Sequence, residues 1–210
     1  MDRKLRKLEA GERKPLEEHL QTARDEIGRL DSILKQFLQA VRPSTPQRES
    51  GNLNTILHDS LKLLQPELES RGIAVELKLE ENLPLLELDP GQFQQVFYNL
   101  LRNAYQALSD DGRITLSSRS TDYEVELSIQ DNGTGISPEH MGAIFEPYRT
   151  TKSSGSGLGL LIVRRIVREH GGEISIESEE GEGTRVTIHL PRQQKNLRFL
   201  EAPEPVIDLE

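Results

Sequence analysis

NLLRNA at Asn99–Ala104, DNGTGI at Asp131–Ile136 and GSGLGL at Gly155–Leu160 decide how this chain folds, because each imposes a different backbone and they come in a set order. The first places Asn99 and Asn103 four residues apart on one face of a helix, so both carboxamides point the same way. The second puts the carboxylate of Asp131 at the end of an alternating strand, YEVELSIQ, then follows it with Gly133 and Gly135, residues suited to a tight bend beside a ligand. The third sets Gly155, Gly157 and Gly159 ahead of a helical run, LLIVRRIVREH. A helix start leaves backbone N–H groups without intrahelical partners, and these suit phosphates.

Taken singly, each cluster has a plainer reading. Asn99 and Asn103 could be a polar stripe on a half-buried helix, and DNGTG a hairpin turn. GSGLG could be a flexible linker or a dinucleotide fingerprint, but the fingerprint needs a strand directly before it and a third glycine two residues on. Here Glu146, Pro147, Tyr148, Arg149 and the polar TTKSS precede it, which fails that test. Taken together, the three clusters suit one job: holding an ATP with its magnesium.

Outward from these clusters, Leu53 to Leu68 reads as a helix, IAVELKL as an alternating strand and LELD as a short apolar strand. Asp89 is placed to cap, and Pro90 to open, the helix carrying Asn99 and Asn103. RITLSSRS and YEVELSIQ predict a hairpin around Thr121 and Asp122, and EISIESE with TRVTIHL another around the EGEG turn. Such uneven alternation of strands and helices predicts an α+β fold, a two-layer α/β sandwich with a mixed sheet, over residues 52–191. Residues 46–51 read as a linker, and 192–210 as a polar, disordered tail.

Residues 1–45 read differently. Leu16, Leu20, Ala23, Ile27, Leu30, Leu34, Phe37 and Val41 recur at alternating intervals of four and three, the period of a coiled coil. This predicts a helix over about 15–42 and a homodimer through the seam at 16–41. Leu5 and Leu8 sit in a stub at 2–9 ended by Gly11, Pro15 suits the first turn of the long helix, and Pro43 and Pro46 end it. The whole reads as a partial helical hairpin.

Composition narrows the function classes. The chain has 210 residues, 34% hydrophobic and 29% charged, enough for one domain with a modest core and an appendage. A net charge of −9 argues against a nucleic-acid surface, which needs clustered Lys and Arg. With 0 cysteines there is no thiolate or disulfide chemistry. No apolar run approaches the roughly 18 residues of a membrane helix, and the basic start MDRKLRK is not followed by a signal-peptide core. A soluble, cytoplasmic chain is the expectation.

NLLRNAYQAL, DNGTGI, IFEPYRTTKSSGSGLGL and GEGTRVTIHLP resemble the N, G1, F, G2 and closing boxes of the histidine-kinase ATPase domain. That domain belongs to the wider superfamily of type II topoisomerases, mismatch-repair ATPases and heat-shock chaperones. FEPYRTTK and PLEEHLQTARDEIGRLDSILKQFLQAVRP are most similar to the nitrogen-regulatory class of sensor kinases. The resemblance implies a Bergerat-type ATP-binding sandwich and assigns roles. Asp131 would accept from the adenine amine, which guanine cannot offer at that position, and Thr184 would assist through water. Asn103 would offer a neutral hard oxygen to magnesium, assisted by Asn99. Gly157, Leu158 and Gly159, with Gly155, would line the phosphates, Arg102 and Lys152 would neutralise charge, and residues 135–155 would form a lid. Superfamily members that hydrolyse ATP carry a glutamate where Asn99 stands. An amide has no useful basicity, so slow hydrolysis and phosphotransfer to a positioned imidazole are implied.

One feature of the family is missing. Its phosphate-accepting histidine lies on the first hairpin helix, followed by an acidic residue and then Asn-Pro, and His19, His58, His140, His170 and His189 all fail that pattern. The acceptor hairpin and a response regulator are therefore implied as separate partners, and self-phosphorylation is not expected. A non-catalytic ATP-sensing or dimerising module, and a serine kinase of the anti-sigma type, share the same site and stay open at this stage.

Overall fold

The computed structural model describes residues 45–147 and 157–192, with the isolated positions 19–22, 24 and 27. The heptad seam, the 2–9 stub and the tail beyond residue 192 therefore lie outside the described residues, apart from those few positions.

Three helices form the first layer, two of them equal in length. In α1, Leu53–Ser70, the buried side chains Leu53, Leu57, Ser60, Leu64 and Leu68 recur every three or four residues, giving one apolar stripe. Asn52 opens it, its side chain accepting from the Asn54 N–H at 2.9 Å. In α2, Pro90–Ala107, the stripe is Phe93, Val96, Phe97, Leu100, Leu101 and Ala104. Asp89 caps it by accepting from the Gln92 N–H at 3.0 Å, and Pro90 fills the first turn, where its missing N–H costs nothing. After the short α3, Pro138–Met141, comes α4, Gly159–Glu169, burying Ile162, Val163, Ile166 and Val167. Both α1 and α4 stop at a glycine with positive φ, Gly72 and Gly171. In each case the two following N–H groups turn back onto the last helical carbonyls, Glu69 and Leu68 in one, Arg168 and Val167 in the other.

The second layer is a five-stranded mixed sheet in the order β2-β4-β5-β7-β6, built from Ala74–Lys78, Arg113–Ser120, Glu124–Asp131, Gly183–Pro191 and Glu173–Glu179 respectively. β2 runs parallel to β4 and the other neighbours are antiparallel. Alternation does the sorting. Ile114 and Leu116, Val125, Leu127 and Ile129, and Ile188 and Leu190 face the helices and join Phe93 and Phe97 in one core. The other face is polar, a shallow concavity of about 400 Å³ lined by residues such as Arg119, Glu126, Gln130, Arg185 and His189. β2 and β6 are the outer strands of this sheet, and Glu173, Ser175, Glu177 and Glu179 are exposed along β6. This is the mixed-sheet α+β sandwich expected from the sequence.

One expectation changes. Glu49–Gly51, inside the stretch read as a linker, forms a strand, β1, that pairs antiparallel with β3, Leu86–Leu88. Leu86 and Leu88 are buried, and Gly51 lets the Leu88 side chain pass within van der Waals reach of its backbone. The chain is thus joined to the domain several residues before α1. Among the described residues no helix is long and apolar enough to cross a membrane.

Candidate functional site

α2 is the element on which the three clusters meet. Asn99 and Asn103 lie one turn apart on it and are half-buried, while Arg102, between them in sequence, is exposed. The start of α4 approaches this face: a β-carbon at Gly159 would sit 3.7 Å from Asn99 Oδ1. Gly157, with φ +68, turns the chain into α4, and the buried Leu158 occupies the cap position without a side chain able to cap. The N–H groups of that first turn therefore have no polar cap from Leu158, which is the condition under which a helix start takes an anion.

The DNGTG turn meets the far end of α2. Asp131 ends β5 with only 6% of its surface exposed, and its Oδ1 accepts from the Gly133 N–H at 2.9 Å. Gly133 is required by contact: a β-carbon there would lie 2.5 Å from the Ala107 carbonyl oxygen of α2. Thr134 donates its N–H to that same oxygen at 3.0 Å. Gly135 has φ +66, and a β-carbon on it would overlap the Glu179 carbonyl. The sequence asked for a tight bend here, and these contacts supply its reason.

Thr184 stands opposite Asp131 in the β5–β7 register, and Ser178 stands opposite Thr184 in the β6–β7 register. Ser178 was not legible as a site residue. Its hydroxyl lies 2.9 Å from Thr184 Oγ1 and 2.8 Å from the Gly183 carbonyl, and it accepts from the Ile136 N–H at 2.9 Å. It fixes both the Thr184 rotamer and the chain leaving the DNGTG turn. Only its neighbours across two strands reveal this, and no local motif marks it.

The donor set suits a magnesium–nucleotide. Two neutral carboxamides beside a helix start that opens on Leu158 offer hard oxygens without excess negative charge near phosphates, as a magnesium that keeps several waters requires. Asn103 and Asn99 would hold the ion. The turn that carries the buried Asp131 is seated on Ala107, one helical turn beyond Asn103 on α2. Beyond the site, Phe145, midway along the expected lid, packs under the Arg164 guanidinium of α4, 4.7 Å from the ring centre. Lys152 and Gly155 lie outside the described residues.

Comparison with known proteins bears on the family and the fold. The sequence profile of histidine kinase-, DNA gyrase B- and HSP90-like ATPases matches residues 88–194. The sensor histidine kinase ZraS of Escherichia coli is 37% identical over 166 residues, which are 79% of this chain and 36% of ZraS. The chain thus spans about a third of that relative's length. Among solved structures, the nucleotide-free catalytic domain of histidine kinase ThkA is 31% identical with a TM-score of 0.64, covering 70% of this chain and 96% of that one. ThkA in complex with the response regulator TrrA is 27% identical with a TM-score of 0.71, covering 84% of this chain and 51% of that one.

Proposed function

The chain belongs to the histidine kinase-, DNA gyrase B- and HSP90-like ATPase family, and from that premise we propose that it is the ATP-binding catalytic part of a sensor histidine kinase, transferring the γ-phosphate of ATP to a histidine on a dimerisation hairpin. The observation that carries this is the convergence on α2: Asn99 beside the Gly159 helix start, and the DNG turn seated on Ala107 with the buried Asp131 below it. In this reading Asp131 selects adenine, helped by Thr184. Asn103 and Asn99 hold magnesium, which neutralises charge on the transferring phosphoryl group. Gly157, Leu158 and Gly159 present N–H groups to the phosphates, with Gly155, Lys152 and Arg102 assisting. Gly133 and Gly135 shape the turn under the base.

Asn99 sets the reaction type. With an amide where a general base would stand, water is poorly activated, and the γ-phosphate waits for a nucleophile positioned in line. None of the five histidines in this sequence has the acceptor pattern, and a hairpin that bears such a histidine is the phosphate-accepting partner. A response regulator is the onward partner, and dimerisation runs through the seam at 16–41. ATP is a cytoplasmic nucleotide, so the chain works there.

The test is γ-phosphate transfer from radiolabelled MgATP to an isolated full hairpin domain of a nitrogen-class kinase, scored as acid-labile phosphohistidine. Transfer that disappears in Asn103→Ala supports the reading. Tight ATP binding without transfer would refute catalysis in favour of a nucleotide-gated module, and label stable to acid would point to a hydroxyl acceptor.

A further inference from the structure

The two helices that present Asn99, Asn103 and the Gly157–Gly159 turn have their opposite ends fastened together at one residue, His170. Its Nδ1 lies 2.8 Å from the Ile166 carbonyl of α4, and its Nε2 accepts from the Asp89 N–H at 3.0 Å. That pair of partners assigns the neutral tautomer with the proton on Nδ1. The ring is buried and stands edge-on to Phe93 of α2, with centres 4.9 Å apart.

The segment entering the domain is seated on this same junction. Gln47 donates its N–H to Asp89 Oδ2 at 2.9 Å, while Asp89 Oδ1 caps α2. Arg48 donates to the Glu169 carbonyl, one of the last of α4, at 2.5 Å. A cation suits this end of a helix, where carbonyls and the helix dipole both favour it. β1 begins at the next residue and pairs Glu49 with Leu88, so the chain is held by five consecutive residues, from 47 to 51.

We propose that Arg48, Asp89 and His170 are positioning residues that couple the seating of the entering segment to the affinity of the nucleotide site. The coupling rests on the ATP reading above. Ten residues separate Asp89 from Asn99 and Gly159 from Glu169, and at 1.5 Å per residue both spans are about 15 Å of stiff helix. Tilting either helix at the junction displaces the part of it about 15 Å away, where Asn99, midway along α2, and Gly159, at the start of α4, face each other. The segment lies between the seam at 16–41 and the ATP domain in sequence, so a change in the hairpin reaches the junction first.

The junction is also sensitive to protons. A second proton on His170, at Nε2, would face the Asp89 N–H and break that bond. Burial opposes it and holds the imidazole below its usual range; the Arg48 cation from the segment opposes it too, while Asp89 at the cap of α2 and Glu169 on α4 favour it.

The experiment uses the whole 210-residue chain. MgATP affinity is measured by calorimetry between pH 5 and 8 for the wild type, Arg48→Ala, Arg48→Lys and His170→Gln, alongside amide hydrogen exchange of residues 47–51 with and without MgATP. Coupling is reciprocal, and a typical strength is about fivefold or more. MgATP should therefore slow exchange at 47–51 by about fivefold in the wild type. Arg48→Ala should weaken MgATP by the same factor, and Arg48→Lys should restore part of it. The wild type should lose affinity in acid more steeply than His170→Gln. Wild-type affinity in Arg48→Ala together with nucleotide-independent exchange would overturn the coupling alone. No MgATP binding by the wild type would overturn the nucleotide reading and the coupling together.

Discussion

Asp131→Asn separates the adenine reading from a merely structural turn. The residue is buried, and one of its side-chain oxygens already holds the Gly133 N–H at 2.9 Å. Asparagine is nearly isosteric and keeps an oxygen for Gly133, so the turn survives and stability should change by no more than about 1 kcal/mol. What changes is the second position of the group, where an acceptor becomes an NH₂ donor facing the donor amine of adenine. A hydrogen bond to a charged acceptor contributes about 1.5–3 kcal/mol, and each 1.4 kcal/mol is tenfold, so ATP affinity should fall roughly ten- to hundredfold. The same NH₂ suits the carbonyl that guanine carries at that place, so the ratio of ATP to GTP affinity should fall further than ATP affinity alone. Calorimetric titration of both nucleotides, with urea unfolding as the control for folding, reads all three quantities. A folded variant that binds ATP within threefold of the wild type would refute the role of Asp131.

Three more expectations test other parts of the structure. Gly159→Ala places a methyl 3.7 Å from Asn99 Oδ1, an ordinary contact; stability should hold within about 1 kcal/mol while MgATP affinity falls about tenfold, and unchanged affinity would remove the α4 start from the phosphate site. Gly183→Ala drives a β-carbon to 2.1 Å from the Asp131 carbonyl at φ +110, whereas Gly181→Ala at φ +86 meets open space. Urea unfolding should show a loss above about 3 kcal/mol for the first and about 1 kcal/mol for the second, and equal losses would contradict the close approach of β7 to Asp131. His170 is held below its ordinary value of 6.5 chiefly by burial. The unfolded chain therefore takes up a proton, as pH falls below 6.5, that the folded chain refuses until more acid, so stability should decline through that window and be retained above it. Thermal unfolding midpoints measured from pH 7.5 to 5 should show a shallower decline in His170→Gln than in the wild type.

Local pattern carried most of the fold. The stripe from Leu53 to Leu68, the Asp89–Pro90 start of α2 and the strands RITLSSRS and EISIESE follow from periodicity and capping within a few residues, and the structure places them there. The site's glycines were legible as bends, but not the contacts that demand them: Ala107 under Gly133 and Glu179 beside Gly135 lie 26 and 44 residues away. Glu49–Gly51 has no alternating apolar pattern and becomes a strand only because Leu86–Leu88 needs a partner. His170 and Ser178 escaped notice for the same reason. A histidine at a helix end and a serine in a strand have ordinary local readings, and their roles arise from partners 81 and 42 residues distant.

Among the described residues, β6 leaves the backbone groups along one side of a seven-residue strand without a neighbour in the sheet. Such a strand is a template for a second chain laid beside it. Glu173, Glu177 and Glu179 are exposed along it, so a second copy stacking edge to edge would bring carboxylates against carboxylates. The barrier to such stacking at this edge is thus electrostatic, and salt sets its limit. At molar salt, where screening shortens to about 3 Å, the repulsion fades and light scattering from a concentrated solution should rise.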